Sequence, residues 1–296
     1  MNFNPKVSII VPVYNGTNYM HQAIDSALGQ TYKNTEVLVI NDGSNDNGAT
    51  EKVALSYGKG VRYFFKLNGG VASALNLGIE KMDGEYFSWL SHDDVYYPDK
   101  IKLQINMLAK MENQEVALFC DYETIDQKND TLWIARFDHE WLERKPLYAL
   151  LRSCIHGCSL LIPKSLFDKY GVFNEKLKTT QDYALWFKMI RHERFIHQPQ
   201  VLIKSRSHPE QDTIKHPETL REANELWINM MNTLTDKEIL SCEQDRYTFY
   251  LKMYQFLKII SPYTEARDYA LSLAKRSSIL KYIIFKLKNN TEFNYK

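Results

Sequence analysis

Short runs of β-branched and aromatic residues alternate with stretches of helical periodicity in the first hundred residues. The apolar runs at 7–13, 36–40, 61–65 and 85–90 predict four strands. Apolar residues recur at helical spacing between them, most clearly in two helices, at Ala23, Ile24, Ala27 and Leu28 and at Ala72, Leu75, Leu77, Ile79 and Met82. This alternation predicts an α/β fold with a mostly parallel central sheet, in which ligands bind at the carboxyl ends of the strands.

The pattern becomes less regular beyond residue 108. Further strands are predicted at 116–120, 159–162 and 201–205, and helices at 164–170 and 182–192. From residue 218 onward the periodicity is almost entirely helical. We therefore expect a domain at 1–217, with a ligand-binding half at 1–108 and a half at 109–217 that brings a second substrate, followed by a helical extension at 218–296.

The last predicted helix, 275–288, contains five basic residues and no acidic one. Its apolar residues share one face, at Ile279, Leu280, Ile283, Ile284 and Leu287. Such a helix is typical of a segment that rests on an anionic membrane surface. A terminal helix that docks on its own domain, with solvated lysines, accounts for the same pattern, and both interpretations stay open.

Charge and cysteine content narrow the class of protein. Lys and Arg number 37 against 36 for Asp and Glu, so the formal net charge of +1 does not indicate a nucleic-acid partner. The four cysteines form no CxxC pair, and neither a zinc site nor a disulfide framework is predicted. The N-terminal residues do not resemble a signal peptide, and no apolar stretch reaches the roughly 20 residues of a membrane span. We expect a cytoplasmic protein, with peripheral contact to the inner membrane face left open.

Two adjacent carboxylates, Asp93 and Asp94, directly follow the fourth predicted strand. Adjacent carboxylates repel each other, and a hard divalent cation with oxygen ligands would relieve that repulsion. An acidic residue just before a helix is also an ordinary helix cap, and a helix is predicted to start near Pro98. The pair by itself therefore leaves a metal site and a cap as alternatives.

Polar residues also follow the first three strands. Tyr14 and Asn15 come after the first strand, where the ring can stack on a base, and Asp42 after the second, where a carboxylate can accept the imide hydrogen of uracil. The glycine pair at 69–70 opens a helix whose free N–H groups and dipole would bind an anion. Loop packing and an Asp-Gly turn explain the first two motifs equally well. Neither a GxGxxG nor a P-loop spacing is present.

The order and spacing of these motifs resemble those of family 2 glycosyltransferases. The matching segments are VSIIVPVYNG at 7–16, NDGS at 41–44, NGGVA at 68–72 and the Asp pair, and a looser match continues to about residue 210. The resemblance implies a GT-A type αβα sandwich and inverting transfer from a nucleotide sugar. It implies nucleotide-sugar contacts for nine residues, at Pro12, Tyr14, Asn15, Asp42, Asn68, Gly70, Asn76, Asp93 and Arg206.

The same resemblance implies the metal ligands and the base. Asp94, with Asp93, would hold Mn²⁺ or Mg²⁺ on the donor diphosphate, although Ser91 departs from the first position of the family's Asp-x-Asp motif. Asp182 matches the general base, with a helix cap as the alternative. His208 falls where some members place a metal ligand, and a surface role is equally open. His156 and His216 match nothing and are interpreted as loop residues.

We therefore expect an inverting transferase that moves a sugar from a nucleotide donor, with UDP favoured by Asp42, to a hydroxyl on a glycan or lipid-linked glycan. One alternative is transfer to a polyprenyl phosphate, whose anionic oxygen needs no strong base. The Gln181-Asp182 pair argues against it. Another is a non-catalytic nucleotide-sugar-binding protein of the same fold, supported by Ser91.

Overall fold

A computed structural model describes residues 3–211, 215–260 and 262–291 of the chain. The chain divides into two compact units, Met1–His216 and Pro217–Lys296. The described strands, all in the first unit, are β1 (Val7–Val13), β2 (Thr35–Asp42), β3 (Arg62–Lys66), β4 (Tyr86–Trp89), β5 (Val95–Tyr96), β6 (Ala117–Ile125), β7 (Thr131–Ala135), β8 (Ile162–Pro163) and β9 (Phe195–Arg206).

The described helices of the first unit are α1 (Met20–Leu28), α2 (Ala49–Ser56), α3 (Val71–Lys81), α4 (Lys100–Leu108), α5 (His139–Arg144), α6 (Tyr148–Leu151), α7 (Lys164–Tyr170) and α8 (Gln181–Ile190). Those of the second unit are α9 (Thr219–Thr233), α10 (Asp236–Cys242), α11 (Arg246–Ile259), α12 (Thr264–Ser277) and α13 (Ile279–Thr291). Across the described ranges, no helix is both long and apolar enough to span a bilayer.

The larger sheet has five strands in the order β3-β2-β1-β4-β8. β1 pairs in parallel with β2 and β4, β2 pairs in parallel with β3, and only the two-residue β8 is antiparallel. Every residue of β1 is buried, as its unbroken apolar run requires of a central strand covered on both faces. The carboxyl ends of β1, β2, β3 and β4 therefore meet at one edge, which is where the predicted motifs lie.

Pro12 lies inside β1, a position from which proline is usually excluded because it has no N–H to donate. Ile10 O accepts from Leu90 N at 3.0 Å, so the backbone polar groups of Pro12, two residues later, face the same side of the strand. Pairing of β1 with β4 ends at Ile10 and Trp89. The proline thus marks the point where β4 leaves β1 and the chain turns into the Asp93-Asp94 segment.

The smaller sheet has the order β5-β9-β6-β7. β9 and β6 are parallel, and β5 and β7 are antiparallel to their neighbours. The sequence did not predict β5 or β7, and the strand predicted at 201–205 is the end of the twelve-residue β9. The strand predicted at 159–162 is correct only in its second half, since Gly157–Ser159 forms a 3₁₀ turn, Leu161 makes an isolated antiparallel bridge to Leu118, and Ile162–Pro163 forms β8.

Helices α7 and α8 form close to their predicted limits, whereas the single helix predicted at 275–288 is interrupted between Ser277 and Ile279. In the second unit, α13 contacts α11, where Phe285 packs edge-on against Tyr254 and Tyr247 Oη donates to Lys281 O at 2.9 Å. Its apolar residues turn away from that contact and are 46–71% exposed, at Ile279, Leu280, Ile283, Ile284 and Leu287. The helix therefore docks through one face and leaves its apolar face in solvent.

Candidate active site

The loops that follow β1 and β2 are fastened to each other through Asn15. Its backbone N–H donates to Ser44 Oγ, and its side-chain amide exchanges two hydrogen bonds with Asn45, at 2.8 and 2.9 Å. Asn15 adopts a positive φ of 49°, a conformation that asparagine tolerates better than most residues. Tyr14 beside it is 44% exposed at the strand end, while Pro12 is buried in β1. The ring is thus free to meet a planar ligand, and Pro12 shapes the strand beneath it.

Asp42 ties the β2 loop to the β3 loop. Its carboxylate accepts from the Gly70 N–H at 2.7 Å, from the Gly69 N–H at 3.1 and 3.2 Å, and from Lys66 Nζ at 2.7 Å. Asn68 Nδ2 also donates to Asp42 O at 2.9 Å. The free N–H groups predicted at the glycine pair are therefore occupied by a carboxylate of the chain itself. An anion site at Gly70 would require Asp42 to move, and this corrects the expectation of an open phosphate site there.

Gly43 explains how the two loops approach so closely. Its φ is +72°, and a Cβ at this position would lie 2.5 Å from the backbone nitrogen of Asn68. Any larger residue would push the β2 and β3 loops apart.

Asn76 lies away from the strand-end loops. Its side chain accepts from Phe173 N at 2.9 Å and donates to Phe173 O at 3.0 Å and to Glu175 at 2.9 Å. Both ends of the amide are therefore occupied in fixing the segment around Phe173. The structure argues against the predicted nucleotide-sugar contact for this residue.

Asp94 is buried at the end of the turn that follows β4. One carboxylate oxygen accepts from the Arg206 backbone N–H at 2.8 Å, and the other lies 4.0 Å from His156 Nε2. Burial, and then the charge of Asp93, raise the pKa of Asp94 to about 8. A carboxyl group in this position takes up a proton near neutral pH unless a cation is present.

Asp93 is paired differently. Its carboxylate lies 2.8 Å from Nε2 of the buried His208. Burial alone would raise the pKa of Asp93, but the His208 hydrogen bond and the nearby His92 and His208 outweigh it and hold that pKa below its usual range. The two neighbouring carboxyl groups therefore differ in character, with Asp93 ionised and Asp94 short of positive charge.

Arg206 was predicted to contact the nucleotide sugar, but its guanidinium group is bound within the protein. The side chain is fully buried, and its donors bind Asp93 O, Asp126 O, Gln22 Oε1 and Asn129 Oδ1 at 2.8–2.9 Å. Four of the five guanidinium N–H groups are thus used within the protein. Arg206 acts as a positioning residue that holds the Asp93-Asp94 turn against β9.

His156 was interpreted as a loop residue, and the structure corrects this. The ligand atoms of Asp94, His156 and Cys158 all lie within 4.8 Å of one another, the one such group of three in the described ranges. The predicted metal set of Asp93, Asp94 and His208 does not form a group of this kind. Burial lowers the pKa of His156 to about 4, against the opposing charge of Asp93, so its ring is neutral at physiological pH.

The 3₁₀ turn at Gly157–Ser159 carries His156 and Cys158 to Asp94. A Cβ on Gly157 would lie 2.5 Å from the Trp89 ring, so only glycine allows the turn to pack against β4. His156 Nδ1 accepts from the Cys158 N–H at 3.2 Å, which leaves Nε2 facing Ser205 Oγ at 3.0 Å and Asp94. The sequence signal for this contact was the segment HGCS at 156–159, which lies in a part of the chain without clear periodicity.

Asp182 lies in the first turn of α8 and is half-buried. Burial raises its pKa to about 6, against hydrogen bonds from backbone N–H groups, including Tyr183 N at 2.7 Å. The next residue, Tyr183, donates its hydroxyl to Ile155 O at 2.8 Å. The start of α8 is thereby joined to the segment that carries His156.

All four cysteines are buried free thiols. Burial, and then the charge of Asp94, raise the pKa of the Cys158 thiol well above its usual value. The Cys158 thiol also donates to Ser91 Oγ, with 3.4 Å between sulfur and oxygen. The Cys158 thiol is therefore protonated beside Asp94 at neutral pH.

Comparisons with known proteins identify the family of the chain. The family model described as "Glycosyl transferase family 2" matches residues 8–171. An uncharacterized glycosyltransferase of Rickettsia felis is 51% identical over 275 residues, which cover 92% of this chain and 46% of that protein. The chondroitin synthase of Pasteurella multocida is 30% identical over 227 residues, which cover 76% of this chain and 23% of that protein. The chain thus spans about half the length, or less, of these relatives.

Solved structures show the same fold. S. aureus TarS in complex with UDP-GlcNAc matches 85% of this chain and 71% of its own, with a TM-score of 0.64 and 17% identity. The mannosyltransferase PcManGT from Pyrobaculum calidifontis, in complex with GDP-Man and Mn²⁺, matches 99% and 81%, with a TM-score of 0.59 and 18% identity. Both are GT-A glycosyltransferases, which confirms the predicted α/β fold of this type. With its strand-end site and the family match over more than half its length, the chain belongs to glycosyl transferase family 2.

Proposed function

We propose that the protein is a cytoplasmic enzyme that transfers a sugar from a UDP-sugar to a hydroxyl of a glycan or lipid-linked glycan, with inversion. The observation that carries the proposal is the pair of acidic centres, Asp94 and Asp182, on segments joined through Tyr183 and Ile155. Support for UDP comes from TarS, which was solved with UDP-GlcNAc. The four free thiols fit a reducing compartment.

The residues around Asp94 fit a divalent cation. The carboxyl group is buried, its pKa is raised to about 8, and its hydrogen bond at 2.8 Å comes from a backbone amide rather than a charged side chain. Asp94 would hold Mn²⁺ or Mg²⁺ through a carboxylate oxygen. The cation, when bound, offsets the negative charge that develops on the leaving diphosphate. His156, with Nδ1 occupied by Cys158, presents Nε2–H to a diphosphate oxygen.

Asp182 is the proposed general base. Inverting transfer is a single displacement, so the acceptor hydroxyl must lose its proton as its oxygen attacks the anomeric carbon. With a pKa of about 6, Asp182 is ionised at neutral pH. That pKa is also close enough to neutral pH for the carboxylate to take up the proton efficiently. Asp93, ionised and bound to His208, remains the proposed contact of the donor ribose.

Nucleotide release tests this proposal. With Mn²⁺ and UDP-GlcNAc, UDP-GalNAc or UDP-glucose, we expect the native chain to release UDP, and Asp94→Ala to be slower by about a hundredfold or more. Asp168→Ala, which removes an exposed carboxylate on α7, should match the native rate. If the native chain binds UDP but releases it from none of these sugars, the non-catalytic alternative is correct.

We also propose that α13 rests on an anionic membrane surface. The helix docks on its own unit through Phe285 and Lys281, so its exposed apolar face is presented outward beside basic residues. Vesicles that contain phosphatidylglycerol should sediment with the native chain and far less with Leu280→Glu. Leu240→Glu, on an exposed position of α10, is the matched control. Equal sedimentation of both variants would contradict the proposal.

A further inference from the structure

Strand β7 presents large apolar side chains to solvent at the edge of the smaller sheet. Leu132 is 55% exposed, Trp133 51% and Ile134 46%. Natural edge strands are usually protected by charged side chains, by proline or by a covering segment. Three consecutive apolar residues on an open edge therefore indicate a binding surface.

The side chains of β7 lie on two faces of the smaller sheet, and only one of these faces leads to the Asp94 centre. Trp133 lies opposite Thr124 in the register, on the same face as Tyr122, and its ring packs edge-on against Tyr122 at 5.6 Å between centroids. The Tyr122 ring in turn lies 5.2 Å from His156. Side chains alternate along a strand, so Leu132 and Ile134 point to the other face. An aromatic line thus connects exposed Trp133 with the Asp94 centre.

The register shows how far apart the two ends of this line are. Trp133 is opposite Thr124, Thr124 is opposite Ser205, and Asp94 adjoins Val95, which is opposite Lys204. Trp133 and Asp94 therefore lie on the outer strands of one row across β7, β6, β9 and β5. Three strand spacings of about 4.8 Å give a separation of about 14 Å. That distance exceeds one sugar ring and matches a short oligosaccharide.

The line also passes close to the proposed base. Tyr183 follows Asp182 in α8, and its hydroxyl donates to Ile155 O at 2.8 Å, next to His156. The Tyr122 ring lies 5.2 Å from the His156 ring, so the start of α8 and the aromatic line meet at the segment that carries His156. A chain that occupies the Trp133 side of the sheet can place its terminal hydroxyl between the base and the Asp94 centre.

We propose that Trp133 and Tyr122 form the acceptor subsite and bind an oligosaccharide by stacking the Trp133 ring against the apolar face of a pyranose. This inference rests on the proposed transferase function, because it identifies the acceptor as a glycan at least two sugars long. An indole ring supplies a large rigid apolar surface, and a sugar has one apolar C–H face with hydroxyl groups at its rim. We favour a glycan over a protein partner or a second copy of the chain, because the aromatic surface runs from Trp133 directly to the Asp94 centre, where a substrate would react.

Binding without donor tests the subsite separately from catalysis. Chondroitin tetrasaccharide and chitin tetrasaccharide are titrated by calorimetry into the native chain, Trp133→Ala and Trp133→Phe. We expect at least one tetrasaccharide to bind, with affinity reduced about tenfold in Trp133→Ala and less than threefold in Trp133→Phe. Leu132→Ala, equally exposed on the same strand but on the opposite face, is the matched control and should bind as the native chain does.

Three results would overturn the subsite. The first is that neither tetrasaccharide binds the native chain. The second is that Leu132→Ala loses as much affinity as Trp133→Ala. The third is that Trp133→Ala dissociates an oligomer in sedimentation, which would make β7 an interface between copies of the chain. In transfer assays the acceptor KM of Trp133→Ala should rise about tenfold, while UDP binding stays within twofold of native. If neither the native chain nor any variant releases UDP but tetrasaccharide binding is intact, the result contradicts the transferase function and not the glycan subsite.

Discussion

The loops after β1, β2 and β3 are tied together by hydrogen bonds through Asn15 and Asp42, whereas the carboxyl groups of Asp94 and Asp182 have fewer such partners. In the loops, Asp42 is bound by Lys66 and two backbone N–H groups. In the centre, Asp94 and Asp182 have raised pKa values, and His208 Nδ1 and Gln181 Oε1 are buried without a hydrogen-bond partner among the described residues. The loops therefore form a frame held by its own hydrogen bonds, and the centre is less completely paired.

Mutations in the loops and mutations in the centre should therefore have different effects. Changes in the loops remove hydrogen bonds that exist in the folded protein, so they should lower stability. Changes to Asp94 or Asp182 remove carboxyl groups whose burial in the ionised form is unfavourable, so they should lower activity and leave stability equal or higher. The following predictions test this division, from the largest expected effect to the smallest.

Asp182→Asn should reduce transfer by about 10²–10⁴-fold, because the amide cannot accept the proton of the acceptor hydroxyl. UDP binding, measured by calorimetry, should be unchanged. Asp168→Asn is the control for loss of a nearby surface charge. Unchanged transfer by Asp182→Asn would move the base to another residue.

Arg206→Met should lower the free energy of unfolding by about 3–5 kcal/mol, because the buried Asp93 O and the half-buried Asp126 O lose their donor, at about 1–3 kcal/mol each. Urea unfolding measures this loss, and Lys204→Met, two positions earlier on β9, should show much less. A variant with native stability but weakened UDP binding would support the nucleotide-sugar contact that the sequence predicted.

Asp42→Asn should lower the free energy of unfolding by about 1.5–3 kcal/mol, since charge-assisted hydrogen bonds to Lys66 and to the glycine amides are lost. Glu51→Gln, on an exposed position of α2, is the matched control. If stability is native and only UDP affinity falls, Asp42 serves the nucleotide alone and the loops are not a frame.

The pH dependence should show the raised pKa of Asp182. Below pH 6 the base is protonated, so kcat/KM should fall about tenfold per pH unit, and Asp182→Asn should lack this limb. The folded pKa of about 6 lies above the ordinary value of 3.8, so the folded state binds the proton more tightly. The resulting stability is present below pH 3.8 and is lost as pH rises through 6. Relative to the native chain, Asp182→Asn should therefore gain stability between pH 4 and 7 in thermal unfolding.

The local sequence pattern was enough to predict the limits of β1 and α7. A central strand is marked by its own unbroken apolar run and an amphipathic helix by its own apolar spacing, so neither prediction needs information from the rest of the chain. The two-residue β5 and the exposed β7 have no such signal. Their positions depend on pairing with β9 and β6 rather than on their own composition.

The α/β alternation, the strand-end position of the motifs and their family can all be read from the amino-acid sequence. The contacts of each motif emerge only when the chain is folded. The Arg206–Asp94 hydrogen bond joins residues 112 positions apart, and His156 reaches Asp94 only because Gly157 packs against Trp89. Periodicity reports which way a side chain faces along its own element. Its partner depends on how separate elements pack, and that information is spread over the whole chain.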